Sequence, residues 1–498
     1  MSKRKNLSWR FWQWWVKHVS PAWLAVGLTV ILVAPMLFIS PIHGYADNGD
    51  FWRAILPNGI YPFAASNRSD YFNYVAPHYH IMQYFNENQT QVYSSQALFI
   101  QLALWLNRLF YSRTVFDLRF MGLVYFTLFL GTIWLLTTAL TTPLRRFRSY
   151  LIAIMVVLVF ADAGFTLYFN SFFAEPGGYI ALLNATAAWL FIARMPKHRK
   201  LWVIGYFLNV LVFITNKQQN APIALSFMVV TLGLLAYPAV RKRWPYLLIG
   251  ISVVAASGVL TFALISKDFN DINLYQSFTN GVLLENSHPT GNIQQAGLNG
   301  QYALMRGDAY NPPGTAAVLP SAFYTKNHLL KKLSTSWIVM YYLKHPTQGV
   351  AMLDVAAKNQ MIVQPTMVGD YTKSQGVKPK QQMHHNTTVT KLGQTFYPKR
   401  YAFGLMLAVT LIMVFMVGAF ADWKTGEKEG PMRLALVLGL LSIVVFVPIV
   451  SIIGDGAADL AKHLFNVPVS LYLLFTILIA DSLNGRLWHA WRKEQFDA

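Results

Sequence analysis

The chain has 498 residues, of which 54% are hydrophobic and only 12% are charged. Soluble domains carry about 25% charged residues, so this composition excludes an ordinary soluble enzyme and indicates a chain that lies mostly in lipid. The net charge is +20, but the basic excess lies in short clusters between apolar runs, which is typical of a membrane protein rather than a nucleic-acid-binding one. The absence of cysteine excludes a disulfide framework and a thiolate metal site.

About ten apolar runs approach the length of roughly 20 residues that a transmembrane helix needs. In chain order they cover residues 23–40, 116–140, 149–163, 178–193, 201–215, 222–240, 245–266, 401–421, 433–453 and 467–479. We therefore predict an all-α, polytopic integral membrane protein. No small-residue cleavage site follows the first run, so we expect an uncleaved first span rather than a signal peptide.

The loops between these runs alternate between basic and charge-poor. The basic residues lie in the N-terminal segment, in every second loop and in the C-terminal tail: Lys3, Arg4, Lys5, Arg10, Lys17, Arg145, Arg146, Arg148, Arg194, Lys197, Arg199, Lys200, Arg241, Lys242, Arg243, Lys424, Lys428, Arg433, Arg486, Arg492 and Lys493. Short loops of the opposite parity carry only Lys217 and Lys462. Because basic loops stay in the cytoplasm, we predict a multi-pass protein of the cell membrane with both termini cytoplasmic.

Two long segments are then predicted on the extracytoplasmic side. The first covers residues 41–115 and ends in an apolar stretch, 97–111, that contains Asn107 and Arg108. Counting this stretch as a span would invert every later loop, so we predict an interfacial helix instead. The second segment, 267–400, is polar, with a turn at 311–314 and a predicted helix at 334–342.

These segments divide the chain into three predicted parts. Residues 1–266 form an N-terminal transmembrane module that includes the first outer loop, residues 267–400 form a small extracytoplasmic domain, and residues 401–498 form C-terminal spans and a cytoplasmic tail.

Polar clusters lie at the outer ends of the predicted spans. Their residues include Asp47, Asp50, Arg53, Asp162, Asn170, Glu175, Lys217, Gln218, Asp455, Asp459, Lys462 and His463. A charged group at membrane depth costs roughly 2.5–3.5 kcal/mol on insertion scales, so such groups are candidates for a functional site. Structural alternatives stay open: Asp-Asn-Gly-Asp is a turn sequence, Lys217 can snorkel from a helix end, and His463 can be a hydrogen-bonded interfacial histidine.

The residue types in these clusters suit group transfer involving a phosphate. Two carboxylates three residues apart in a tight turn can converge on one point, where one accepts a proton from a hydroxyl. The other can orient the acceptor or hold a divalent cation, magnesium or manganese, so a metal requirement stays open. We predict Asp47, Asp50 and Glu175 as the catalytic carboxylates. The predicted substrate- and phosphate-binding residues are Arg53, Asn170, Lys217, Gln218, Lys462 and His463.

This layout resembles the GT-C superfamily of membrane glycosyltransferases, which use polyprenyl-phosphate sugars. The resemblance rests on an acidic motif in a long loop after the first span, an interfacial helix at 95–111, the early Arg119 of the next span, and an acidic residue after the third span. The stretches 47–53 (Asp-Asn-Gly-Asp-Phe-Trp-Arg) and 168–175 (Tyr-Phe-Asn-Ser-Phe-Phe-Ala-Glu) are similar to bacterial cell-envelope hexosyltransferases.

The resemblance implies a catalytic carboxylate at Asp47 or Asp50 and a lipid-linked donor whose phosphate is held by basic residues such as Lys217. It also implies inverting transfer of a hexose from a polyprenyl-phosphate donor to a cell-envelope glycan acceptor on the extracytoplasmic face. The two aspartates are separated by two residues, whereas metal-dependent relatives commonly have an Asp-X-Asp motif.

Three alternatives are a polymerase or ligase of lipid-linked glycans, a transporter or flippase for lipid-linked sugars, and a non-catalytic membrane scaffold. Transporters place polar residues near the bilayer midplane, often on broken helices in repeated halves. The clusters here lie at span ends, and the sequence shows no matching halves. Convergence of Asp47, Asp50, Glu175 and Lys217 on one cavity would favour the transferase.

Overall fold

The computed structural model describes residues 18–63, 70–90, 92–142, 147–310 and 318–488, together with residue 16. The predicted turn at 311–314 and several predicted cytoplasmic basic residues lie outside the described residues: Lys3, Arg4, Lys5, Arg10, Lys17, Arg145, Arg146, Arg492 and Lys493. Within the described part the fold is helical, apart from one three-stranded sheet.

In chain order, the α-helices are α1 (Pro21–Phe38), α2 (Phe51–Ile55), α3 (Asp70–Asn73), α4 (Gln96–Phe110), α5 (Arg119–Thr141), α6 (Phe147–Phe160), α7 (Ala163–Thr166), α8 (Glu175–Arg194), α9 (Arg199–Asn216), α10 (Ala224–Leu232), α11 (Pro238–Lys242), α12 (Trp244–Ala263), α13 (Lys267–Ser277), α14 (Pro289–Gln295), α15 (Phe323–His328), α16 (Thr335–Lys344), α17 (Pro346–Asn359), α18 (Thr388–Phe396), α19 (Tyr401–Lys424), α20 (Glu429–Asp455), α21 (Leu460–His463) and α22 (Asn466–Leu483). The strands are β1 (Ile60–Tyr61), β2 (His78–Ile81) and β3 (Val115–Asp117). Short 3₁₀ stretches lie at Leu56–Asn58, Leu167–Phe169, Pro196–His198, Gln218–Ile223, Gly233–Ala236, Gly300–Met305, Leu330–Lys332 and Lys373–Gln375, and a π-helical turn lies at Phe278–Val282.

Eight helices within the described residues are long and apolar enough to cross a membrane: α1, α5, α8, α12, α19, α20, α22 and the stretch Gln218–Ala236, which includes α10. Taken together, α6 and Ala163–Phe169, which meet at a bend of 52°, are also long and apolar enough for a broken span or a re-entrant loop. The bend follows Asp162, whose side chain accepts the main-chain N–H of Gly164 (2.8 Å) and starts α7. The prediction of an all-α polytopic membrane protein is confirmed.

The remaining predicted span, 201–215, is α9, which is not among these eight helices. It nevertheless runs antiparallel to α8 over its whole length. At one end the Arg199 side chain donates to the carbonyl of Ile192 (3.0 Å). At the other end Lys217 lies 2.7 Å from Glu175. By its geometry, α9 therefore crosses the same layer as α8.

The crossing helices surround α8, whose residues from Glu175 to Leu183 are all buried. On the outside of the bundle, apolar side chains are exposed, for example Ile249 of α12 and Met406 of α19, at 59% and 58%. A water-soluble protein would bury such side chains, whereas a helix bundle in lipid presents them to the acyl chains.

One end of the bundle, which we call the basic end, is closed by a buried ion-pair network. Asp481 lies 2.8 Å from both Arg194 and Arg433, and Arg194 also lies 2.7 Å from Glu429. The side chains of Arg194 and Arg433 are only 3% and 1% exposed. The sequence predicted Arg194 as a loop charge after the span 178–193, and Arg433 as a loop charge at the first position of the span 433–453. That placement is wrong, because α8 continues through Arg194, and α20 begins at Glu429, before Arg433.

The 41–115 segment folds over the opposite end of the bundle. Strands β1, β2 and β3 form an antiparallel sheet with the register Ile60↔Ile81 and Tyr79↔Phe116. Helix α4 coincides with the predicted interfacial helix and packs on α5. Its free face is a stripe of exposed apolar side chains: Leu98, Leu102, Trp105 and Leu109. This pattern suits a helix that lies in the headgroup region.

The 267–400 segment contains a second, small hydrophobic core. Its buried residues are Tyr275, Phe278, Val282, Leu283, Ile293, Leu298, Tyr302, Met305, Leu329, Leu330, Leu333, Ile338 and Tyr341. The helix predicted at 334–342 is α16, which Ser334 caps by accepting the N–H of Trp337 (3.1 Å). Main-chain hydrogen bonds from Ala46 to Gly369 and from Val75 to Tyr371, both 2.9 Å, join this segment to the 41–115 segment.

Candidate functional site

Asp47 organises the turn between α1 and α2. Its Oδ1 atom accepts the main-chain N–H groups of Gly49 (2.7 Å) and Phe51 (3.1 Å). Gly49 has a φ of +104°, which glycine adopts without steric strain. Burial raises the pKa of Asp47, although these two hydrogen bonds oppose the effect. Asp47 thus stabilises the turn, which agrees with the alternative that Asp-Asn-Gly-Asp forms a structural turn.

Asp50, three residues later, is held by two cations. Its Oδ1 atom lies 3.1 Å from Nη1 of Arg53, and its Oδ2 atom accepts from Nζ of Lys462. Burial alone would raise the pKa of Asp50, but the two cations together hold it well below its ordinary value. The side chain stays 35% exposed, so an approaching molecule can reach it.

Lys462 connects this turn to the loop between α20 and α22. Its side chain is only 4% exposed and pairs with both Asp50 and Asp459, the latter at 2.9 Å. Burial opposes the charge of Lys462, but the two carboxylates outweigh it and raise its pKa. Asp459 also accepts a hydrogen bond from the side-chain amide of Asn48 (2.5 Å). The turn and the loop therefore form one charged unit, which we call the 47–53/459–462 cluster.

Glu175 and Lys217 form a second ion pair beside this cluster, where α8 begins and α9 ends. Nζ of Lys217 lies 2.7 Å from Oε1 of Glu175, and the two side chains are 20% and 3% exposed. The helices approach closely because position 177 is glycine: a Cβ atom there would lie 2.6 Å from Oδ1 of Asn216. Glu175 also lies in the first turn of α8, where the helix dipole favours a negative charge.

The two ion-paired groups meet at a narrow polar cleft that is open to solvent. It is lined by Ala174, Glu175, Gly178, Asn216, Lys217, Gln219, Asn220, Lys462, His463, Phe465 and Asn466. Four of the predicted site residues therefore line one cleft: Glu175, Lys217, Lys462 and His463. Asp50 and Arg53 join them through Lys462.

His463 lies beside Asp455 at the cleft, with its Nε2 atom 3.3 Å from Oδ2 of Asp455. Burial, reinforced by the nearby charge of Lys217, lowers the pKa of His463 to about 3. The imidazole is therefore neutral near pH 7, and its contact with Asp455 is not an ion pair.

Five predicted site residues do not line this cleft: Asp47, Asp50, Arg53, Asn170 and Gln218. Asn170 is fully buried, and its amide donates to the carbonyls of Leu37 (2.9 Å) and His43 (2.8 Å), which fastens the end of α1. Gln218 is half-buried, and its neighbour Gln219 lines the cleft instead.

Sequence reasoning missed three amides at the site. Asn48 contacts Asp459, and Asn220 accepts from Asn466 (2.8 Å) across the cleft lining. The position of Asn48 between Asp47 and Asp50 was the one available signal. Nothing in the sequence connected positions 220 and 466.

The carboxylates at the cleft do not present the oxygen ligands that a divalent cation needs. Among the described residues, no group of three or more histidine, aspartate or glutamate side chains is arranged to hold a metal ion. Asp50 and Asp459 contact ammonium or guanidinium groups, and Glu175 contacts Lys217. The cations of the chain thus take the positions that magnesium or manganese would need, and the residues do not fit the metal.

Comparison with known families gives one match. The family described as "YfdI N-terminal transmembrane domain" matches residues 7–497 of this chain. No curated protein and no solved structure matches it. The matched region includes the crossing helices, both long segments and every residue of the cleft.

Proposed function

The chain belongs to the YfdI N-terminal transmembrane domain family, and we propose that it is an integral membrane glycosyltransferase. It transfers a hexose from a polyprenyl-phosphate donor to a cell-envelope glycan, with inversion at the anomeric carbon. The observation that carries this proposal is the convergence of Glu175, Lys217 and Lys462 on one cleft at the end of the bundle, where Lys462 also pairs with Asp50.

The cations of the cleft suit the phosphate of a lipid-linked donor. Lys217, Lys462 and Arg53 come from three different parts of the chain, and Lys217 and Lys462 lie next to the ends of crossing helices. Here they can stabilise the negative charge that grows on the phosphate as it leaves. The bilayer delivers the carrier in two dimensions, so the cleft needs to recognise only its headgroup.

Asp50 is the proposed proton acceptor. The acceptor hydroxyl oxygen attacks the anomeric carbon, the carbon–oxygen bond to the phosphate breaks, and the phosphate leaves with the electron pair. The hydroxyl proton passes to a carboxylate oxygen of Asp50. Lys462 and Arg53 hold the pKa of Asp50 low, and a phosphate bound beside these cations offsets part of their charge, so Asp50 becomes a stronger base.

The basic end supports an orientation in which the cleft faces away from the cytoplasm. Arg148, Lys197, Lys200 and Lys428 all lie at the ends of crossing helices remote from the cleft. Under the positive-inside rule, these ends stay in the cytoplasm. The reaction then takes place on the extracytoplasmic face.

A transporter is the less favoured function. Further along the face of α8 that lines the cleft, a second, narrow cavity is lined mainly by apolar side chains such as Leu182, Phe227 and Leu440. Beyond it, the buried pairs of Asp481 with Arg194 and Arg433 close the basic end. These features do not suit a polar transport path.

The test is complementation of a deletion strain, followed by measurement of its surface glycan composition. We expect the wild-type chain to restore the hexose and Asp50→Asn to fail, with both proteins at equal membrane levels. Glu87→Gln, which removes an exposed carboxylate from the 41–115 segment, is the matched control and restores the glycan. Full restoration by both Asp50→Asn and Glu175→Gln would overturn the catalytic assignment.

A further inference from the structure

One oxygen atom at the cleft has the partners of a bound phosphate oxygen. Oδ2 of Asp459 lies 2.9 Å from Nζ of Lys462 and 2.5 Å from Nδ2 of Asn48. An ammonium and an amide N–H that converge on one anionic oxygen form a charge-assisted donor pair. Any anion of similar size, including a phosphate, can take the same two hydrogen bonds.

Asp459 is paired with one cation, Lys462, and one neutral amide, that of Asn48, whereas Asp50 is paired with two cations. The backbone of Asp459 has a φ of +47°, a left-handed conformation that is uncommon outside glycine, asparagine and aspartate. Its side chain is 30% exposed. By contrast, Asp50 is held by Arg53 as well as Lys462, and the Glu175 side chain is only 3% exposed within α8.

The charges of the cleft require such an exchange before an anion can bind. Lys462 is paired with Asp50 and Asp459, Arg53 with Asp50, and Lys217 with Glu175. The three cations are thus already neutralised by the chain, and an incoming phosphate has to displace a carboxylate. In addition, Nε of Arg53 is buried and has no hydrogen-bond partner among the described residues.

We infer that Asn48 and Lys462 form the subsite for a phosphate oxygen of the lipid-linked donor, and that Asp459 holds this subsite until the phosphate displaces it. The inference rests on the proposed function, because it assigns the donor's phosphate to particular atoms of the cleft. The Asp459 carboxylate thereby competes with the donor phosphate for Lys462 and Asn48. It lowers the affinity for the donor without contacting the reacting carbon.

The experiment measures binding of farnesyl phosphate to the purified full-length chain in lipid nanodiscs. Farnesol, which lacks the charge, and inorganic phosphate, which lacks the lipid, are measured in parallel. We expect Asp459→Asn to bind farnesyl phosphate about tenfold more tightly, since an amide competes weakly for an ammonium. Farnesol binding stays unchanged. Glu87→Gln removes one negative charge outside the cleft and is the matched control.

A second variant tests the amide. In the Asp459→Asn background, Asn48→Ala removes a donor without restoring the competitor, and we expect affinity for farnesyl phosphate to fall about tenfold. If affinity for inorganic phosphate shifts equally in these variants, the subsite recognises phosphate alone. A shift confined to farnesyl phosphate assigns it to the lipid headgroup.

The outcomes separate this inference from the proposed function. If the wild-type chain binds farnesyl phosphate and folded Asp459→Asn binds it no more tightly, the subsite is wrong while the phosphate-linked donor stands. If the folded wild-type chain and both variants bind farnesyl phosphate no better than farnesol, the donor class and the subsite are both overturned.

Discussion

Lys462 donates a hydrogen bond to Asp50 although 412 positions separate the two residues. Asp50 follows α1, the first crossing helix described, whereas Lys462 precedes α22, the last one. The ion pair therefore joins the beginning and the end of the helix bundle at the cleft. The two aspartates of the turn therefore differ in their partners: Asp50 contacts a cationic side chain, whereas Asp47 contacts main-chain amides.

The first prediction separates these two aspartates. Asp47→Asn keeps an oxygen that can accept from Gly49 and Phe51, so we expect nearly normal activity and stability. Asp47→Ala loses both hydrogen bonds and lowers the free energy of unfolding by about 1 kcal/mol. Asp50→Asn lowers kcat by about 10²–10⁴, because the proton acceptor is lost. Transfer kinetics and thermal unfolding of the purified variants test this, and normal kcat in Asp50→Asn would contradict it.

The second prediction concerns the buried pair of Lys217 with Glu175. Lys217→Met leaves the 3%-exposed carboxylate of Glu175 without its partner, so we expect a loss of about 3–5 kcal/mol in unfolding free energy. The double variant Lys217→Met/Glu175→Gln recovers part of this loss, because no buried charge is left unpaired. Lys373→Met, which breaks the exposed pair with Asp70, is the control and changes stability little. Equal stability of all three variants would show that the pair is not a buried ion pair.

The fold was predictable because a span of lipid demands a long apolar run, and the predicted runs lie on the crossing helices of the structure. The count of basic residues in each loop was less informative about where individual arginines lie. It could not distinguish an arginine that remains in a loop from Arg433, which is buried against Asp481. Likewise, a polar residue at a helix end such as Asn170 has the same appearance in sequence whether it binds a substrate or the main chain.

The candidate site was predictable only in part, for a related reason. The local motif pointed to Asp50 and Arg53, since both lie in one turn. Their pairing with Lys462 depends on the packing of α1 against distant helices, which no local pattern encodes. Asn48 was overlooked because an asparagine side chain in a turn ordinarily hydrogen-bonds to nearby main-chain groups, whereas this side chain donates to Asp459.

The third prediction concerns the basic end. Arg433→Met leaves Asp481, which is fully buried, with one cation fewer, and we expect unfolding free energy to fall by about 3–5 kcal/mol. Arg243→Met removes an exposed arginine near the same end and serves as the control. Because the network lies at the far end of α8 from the cleft, farnesyl phosphate affinity of folded Arg433→Met should equal that of the wild type. A large change in affinity would mean that the two ends are coupled.

The fourth prediction is a pH dependence of stability that arises from Asp370, where the 267–400 segment packs against the 41–115 segment. Burial raises the pKa of Asp370 to about 8, although the N–H of Met383 (2.9 Å) and the amide of Gln364 (3.3 Å) oppose the effect. Its Oδ1 atom is buried and has no hydrogen-bond partner within the described residues.

The folded state therefore keeps the proton of Asp370 up to about pH 8, whereas the unfolded state loses it near the ordinary aspartate pKa of 3.8. Between these values the folded state binds more protons, so this group's contribution to stability falls as pH rises. Asp370→Asn has no proton to lose, and we expect it to unfold at a higher temperature than wild type at pH 8 and to show a flatter pH profile from 5 to 8. Asp354→Asn is the contrasting control. Burial would raise the pKa of Asp354, but the N–H of Tyr401 and the side chain of Arg400 lower it, so this variant should not flatten the profile from pH 5 to 8. Calorimetric unfolding at several pH values decides the matter, and identical profiles for Asp370→Asn and wild type would show that Asp370 is ionised in the folded protein.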